Sequence, residues 1–203
     1  MSTRPRDMSA LIVGDPHSRK LALGRIGDRL MLPMVPLEAA DGRQADSPRI
    51  SRKRLGAAEL RAGAFMDAAL RSGFECLGML IARPVLHPVG PRTRSGLWSR
   101  LARHRLEPDR SALTYLGRMI SPTDAQSRQH VRVFAAPVAR VTNSLKIRGS
   151  CDRTIWMTPE AADRALDGTG LEAFASMSLS AMGGRPRPLL VSWREGRQRQ
   201  SRL

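Results

Sequence analysis

The chain has 203 residues, with 34 Lys+Arg against 18 Asp+Glu, a formal net charge of +16 and an isoelectric point near 11.6. Hydrophobic residues make up 41%, which excludes wholesale disorder, and the length suits one domain with a real core. No apolar run approaches the ~20 residues of a membrane span, and two cysteines are too few for a disulfide framework or a zinc site. Met1 to Asp7 lacks the apolar segment of a secretory signal, so a cytoplasmic protein is expected. Only Lys20, Lys53 and Lys146 are lysines, so 31 of the 34 basic residues are arginine. Their dispersal and the 4% aromatic content point to a solvated arginine-rich surface more than to a nucleic-acid interface.

Ser9 to Gly14 is a short apolar run closed by Asp15-Pro16, which predicts a buried strand and a turn. Lys20 to Arg25 alternates and predicts the hairpin's second strand. Leu30 to Leu37 is extended, but Pro33 and Pro36 confine it to an edge. Asp41 to Arg54 is polar and is expected to be a mobile surface loop. Leu55 to Cys76 carries apolar residues at three- to four-residue steps, predicting a long helix that Gly78 ends. Met79 to Ala82 resumes as a strand, and a short helix follows around Leu97 to His104. Leu113 to Ile120 and Val131 to Val141 are predicted strands. After a strand at Thr154 to Met157, Thr158 caps a helix with Pro159 at its first position. Leu171 to Met182 is an amphipathic helix stopped by Gly183-Gly184, and Pro188 to Trp193 is a last strand before a basic tail. Strands interrupted by helices make the class α/β or α+β.

The helix and its end carry a family pattern. Arg71-Ser72-Gly73-Phe74-Glu75-Cys76-Leu77-Gly78-Met79 resembles the core of G-x5-E-x7-R-E-U-x-E-E-x-G-U, the signature of Nudix hydrolases, where U is bulky and apolar. Arg71, Glu75, Gly78 and Met79 match, whereas Ser72 and Cys76 replace glutamates. Upstream, Gly63 stands for the early glutamate and Ala57 for the opening glycine. Arg6-Asp7, Gly24-Arg25, Met34-Val35-Pro36, Pro108-Asp109, Arg118, Arg132, Phe134 and Trp156 extend the likeness over about residues 6–165, most like the longer bacterial members. The resemblance implies an α/β/α sandwich with a mixed sheet. It divides the chain into a Nudix-like domain at 1–165 and a C-terminal helix, strand and basic tail at 166–203.

In the family, the box carboxylates hold Mg²⁺ or Mn²⁺ against a diphosphate. Positions 72, 75 and 76 share one helix face, and there this chain offers Glu75 as its one carboxylate, beside a hydroxyl and a thiol. A hard cation needs oxygen ligands, and thiols select softer metals. The degenerate box, Arg71, Ser72, Glu75, Cys76 and Gly78, therefore predicts a pseudoenzyme. It keeps the fold and binds a nucleotide, a diphosphate or a protein partner, with no resident cofactor and no membrane. Glu75 is the sole metal candidate, and pairing with Arg71 as an ordinary helix acid is an equal reading of it. Two alternatives stand: an active hydrolase of nucleoside diphosphate-linked compounds whose metal site includes loop acids such as Glu38 or Asp124, and a basic RNA- or polyanion-binding module. Cys76 reads as a buried small hydrophobe, and His17, His87, His104 and His130 show no ligand spacing.

Overall fold

The computed structural model describes residues 4–42, 49–86, 96–142, 148–182 and 184–203. The apolar run near the N-terminus forms strand β1 (Arg6–Asp15), buried through its middle because both faces of the sheet are covered. It turns at Pro16 into β2 (Lys20–Ile26), antiparallel with Val13 opposite Ala22. The proline-containing stretch splits into β3 (Arg29–Met31) and β4 (Met34–Pro36), since a proline cannot donate to a ladder. β3 pairs with β2, and β4 with the first half of β1.

The long helix begins later than its periodicity predicts. A single turn, α1 (Arg52–Leu55), ends at Gly56 in the left-handed conformation (φ 64°), and a 3-10 turn at Glu59–Arg61 leads into α2 (Ala62–Leu77). Apolar spacing alone does not register the break that Gly56 makes. Gly78 closes α2 in the left-handed conformation, its N–H reaching the Gly73 and Phe74 carbonyls.

Beyond α2, Leu80 bridges Thr142 and a small two-stranded sheet pairs β5 (Ala82–Pro84) with β6 (Leu106–Pro108). Helix α3 (Gly96–Arg103) lies between them. Next come β7 (Thr114–Ile120), β8 (Gln129–Pro137), β9 (Arg153–Met157), α4 (Pro159–Ala165), α5 (Glu172–Ala181) and β10 (Leu189–Arg194). The Thr158 hydroxyl caps α4 by accepting from the Ala161 N–H. The basic tail is no loose end: Arg197–Arg202 forms β11, antiparallel to β10.

The main sheet runs β11-β10-β7-β8-β1-β2-β3, with β4 on β1 and β9 on β2. It is mixed, because β1–β8 and β7–β10 are parallel while the other pairs are antiparallel. Ile12, Leu23, Val133, Phe174 and Leu166 form the core on the side of α4 and α5. Leu11, Phe134, Phe65, Met66 and Leu70 form the core under α2 on the other. The result is an α/β/α sandwich. A third cluster joins Phe74 and Leu80 to Leu97, Trp98 and Leu101 of α3.

Gly117 shows how closely β7 and β10 approach. Its φ is 139°, and a Cβ there would stand 2.0 Å from the Leu189 carbonyl oxygen. Gly117→Ala is expected to cost more than about 2 kcal/mol through strain and lost pairing, measured as a lower denaturant midpoint.

Candidate functional site

The helical spacing of α2 sends Arg71 toward the loop that follows β4, where its guanidinium is only 2% exposed. Burial of a cation demands compensation, and three carboxylates converge on it. Asp41 accepts from Nε at 3.2 Å and Nη2 at 2.9 Å, while Nη1 donates to Glu38 at 3.0 Å and to Glu75 at 3.2 Å. Nη2 also donates to the Pro36 carbonyl at 2.6 Å. The Asp41 carboxylate turns the loop as well, accepting from the Glu38 N–H at 2.8 Å.

The electrostatics of this cluster are lopsided. Burial works against the Arg71 charge, but Asp41 chiefly, then Glu75 and Glu38, outweigh it and hold the guanidinium ionised. Glu75 gains less. Burial raises its pKa, Arg71 offsets part of that, and Glu38 and Asp41 push it up again, so it stays above the ordinary carboxylate value. One guanidinium is shared among three acids.

The other box positions are not metal donors. The Ser72 side chain is fully buried and its hydroxyl donates to the Ala69 carbonyl at 2.8 Å. Burial pushes the Cys76 thiol up, against hydrogen bonds with the Met34 backbone and Ser150. Its carbonyl accepts from the Cys151 N–H at 3.0 Å. Among the described residues, no group of three or more His, Cys, Asp or Glu is placed to hold a metal ion. Glu38, Asp41 and Glu75 are oxygen donors of the right kind, but they point at a guanidinium. The residues present do not fit Mg²⁺ or Mn²⁺.

The structure therefore brings Arg71, Glu75 and Glu38 together and leaves other expectations unmet. Asp124 is exposed. Asp67 does not ladder with Arg71; it takes Arg110 through two 2.7 Å bonds and accepts from the Gly42 N–H at 2.9 Å. Glu59 accepts from the Arg52 N–H at 3.2 Å instead of approaching the box. Ala57 stands before the N-terminal end of α2, and Pro36 to Asp41 supply the groups beside Arg71. His87 lies outside the described residues. Asp41 had no sequence signal, since its polar surroundings read as a solvated loop.

No family model matches the sequence, and no curated protein matches it. Among solved structures, the chain is similar to a Nudix hydrolase from Alicyclobacillus acidocaldarius, at 14% identity and a TM-score of 0.63, covering 92% of this chain and all of that one. It is similar to the MutT protein from Bacillus halodurans at 10% identity and a TM-score of 0.54, covering 97% of each. A Nudix hydrolase from Nitrosomonas europaea gives 13% and 0.50, covering 90% of this chain and 92% of that one. At such identities the likeness is one of fold: the chain has the Nudix hydrolase fold.

Two substitutions separate the roles of the acids. Asp41→Asn leaves Arg71 undercompensated and is expected to cost about 3–5 kcal/mol, read by denaturant unfolding. Glu75→Gln is expected to leave stability at neutral pH unchanged or slightly higher. A carboxyl whose folded pKa is raised binds its proton more readily in the native state, so its contribution improves as pH falls from the raised value toward the ordinary one. That improvement should vanish in Glu75→Gln when unfolding is followed across that range.

Proposed function

We propose that this chain is a Nudix-fold protein that has lost metal-dependent diphosphate hydrolysis and serves as a ligand- or partner-binding domain. The observation that carries the reading is the buried Arg71, which engages Asp41, Glu38 and Glu75 where a metal would need them free. In metal-assisted diphosphate hydrolysis, divalent ions neutralise developing charge and activate water, and their ligands must be free to coordinate. Here the Asp41 carboxylate has no exposed surface and both its oxygens bond Arg71. A cation would have to displace the guanidinium that the fold depends on. Ser72 adds a hydroxyl already engaged with the helix backbone. The reading assigns the retained framework to a nucleotide or diphosphate ligand or to a protein partner.

An active hydrolase with a rebuilt metal site is the second reading, and one observation favours it. The Glu38 and Glu75 side chains are 54% and 40% exposed, and the cluster they form with Asp41 and Arg71 carries excess negative charge.

Purified protein with Mg²⁺ or Mn²⁺ is expected to leave ADP-ribose and nucleoside triphosphates intact, with product release no faster than in a metal-free control. Calorimetric titration with Mn²⁺ should give no saturable heat. Metal-dependent turnover that disappears in Glu75→Gln would establish the second reading instead.

A further inference from the structure

At the other end of α2 the imbalance of charge is reversed. A pocket of about 400 Å³ is lined by Arg4, Asp7, Gly56, Arg61, His130 and Arg132, among others. Asp7, at the start of β1, is its one carboxylate, and two guanidiniums already share it. Arg61 Nη1 donates to Asp7 Oδ2 at 2.8 Å, and Arg132 Nη1 donates to Oδ1. Burial alone would raise the Asp7 pKa, but Arg132 and Arg61 outweigh it and hold the carboxyl below its usual range.

A further arginine stands behind the lining with no acid paired to it among the described residues. Arg118, on β7, places its guanidinium against Gly56, where a Cβ would meet Nη1 at 2.7 Å, and its Nη1 lies 3.2 Å from His130 Nε2. Its Nε is buried without a hydrogen-bond partner among the described residues. Since an arginine only donates, His130 Nε2 accepts, and the neutral imidazole carries its proton on Nδ1. Burial first, then Arg132 and Arg118, keep His130 uncharged, with a pKa near 3.

Burying a cation without a counter-charge destabilises a fold, and such groups collect where a ligand supplies the missing charge. We infer that this pocket binds a phosphoryl anion, the phosphate group of a phosphomonoester or inorganic phosphate, held by Arg61 and Arg132, with Arg118 adding positive charge from behind the lining. Arginine suits that role because its planar fork of donors matches phosphate oxygens. Arg132 contributes mainly charge, as its donors are largely engaged with Asp7 and the Leu55, Gly56 and His130 carbonyls. Arg61 spends one donor on Asp7 and is 41% exposed, free to turn toward a ligand. The volume leaves space beyond a bare phosphate.

The inference is independent of whether the box binds metal, because the 13-residue rise from Ala62 to Glu75 separates the two places by about 20 Å. Calorimetric titration of the full chain at low salt with inorganic phosphate, and separately with adenosine monophosphate, tests it. One saturable site is expected; Arg61→Gln should weaken it at least about tenfold, the size of a lost charged hydrogen bond, and Arg118→Met, which removes a charge behind the lining, should weaken it less, by an amount that shrinks as salt is added. In phosphate-free buffer, Arg118→Met should match or exceed the parent thermal midpoint while gaining less from added phosphate than the parent does. Tighter binding of the monophosphate makes the organic part a contributor; equal binding makes inorganic phosphate the ligand. Failure to saturate either probe below about 10 mM, or affinities unchanged in both variants, overturns the site.

Discussion

A guanidinium almost sealed from water has to be neutralised where it stands, and the site at the C-terminal half of α2 is arranged around meeting that demand for Arg71. Two oxygens of Asp41 and the Pro36 carbonyl take its donors, so the chain after β4 must return to the helix instead of running into solvent. Removing one member of such a pair strands the other in a medium that cannot solvate it. Asp41, Glu38 and Glu75 are thereby all engaged by one side chain of the fold itself.

Two more buried pairs repeat the device along the same helix. Arg110 holds Asp67 in the middle of α2, and Arg132 holds Asp7 while its guanidinium lies 4.0 Å over the Phe65 ring. Each crosses a long stretch of sequence: the first joins α2 to the turn before β7, and the second joins β1 to β8. Fixed arginine geometry makes these contacts directional where apolar packing is not. The sandwich is thus positioned by three guanidinium–carboxylate contacts as well as by the two apolar layers on either side of the sheet.

Much of the fold was legible in the sequence because the determinants are local. The Asp15-Pro16 turn, the Thr158 cap and the left-handed Gly78 depend on residues within a few positions, and all three stand where local rules put them. The start of α2 was not, since Gly56 interrupts a run whose apolar spacing continues through it. Nor was β11, whose Arg-Gln-Arg-Gln-Ser-Arg sequence has no apolar face and reads as a solvated tail; polar, charged residues are what an edge strand carries to avoid pairing with another chain. At the site, Arg71 and Glu75 were legible as an i,i+4 pair. Asp41 was not, because its role is created by a contact across 30 residues. The bare half-buried state of Arg118 was equally hidden, since an absence of counter-charge exists only in three dimensions.

The peptide dipoles of α2 sharpen the contrast between its ends. They place roughly half a positive charge at the N-terminus and half a negative charge at the C-terminus. At the C-terminal end stand Glu38, Asp41 and Glu75 around one arginine, so the dipole adds to an existing excess of negative charge. At the N-terminal end Arg61 and Arg132 share one aspartate with Arg118 behind them, and the dipole adds to an excess of positive charge. Both ends run against the arrangement that stabilises a helix. The first is relieved from within by Arg71, which reaches every acid of its cluster. Among the residues lining the second there is no acid to spare, because Asp7 is already divided between two partners. The end of α2 opposite the box is therefore the one whose electrostatics call for an external ion, and the sign of that ion is negative.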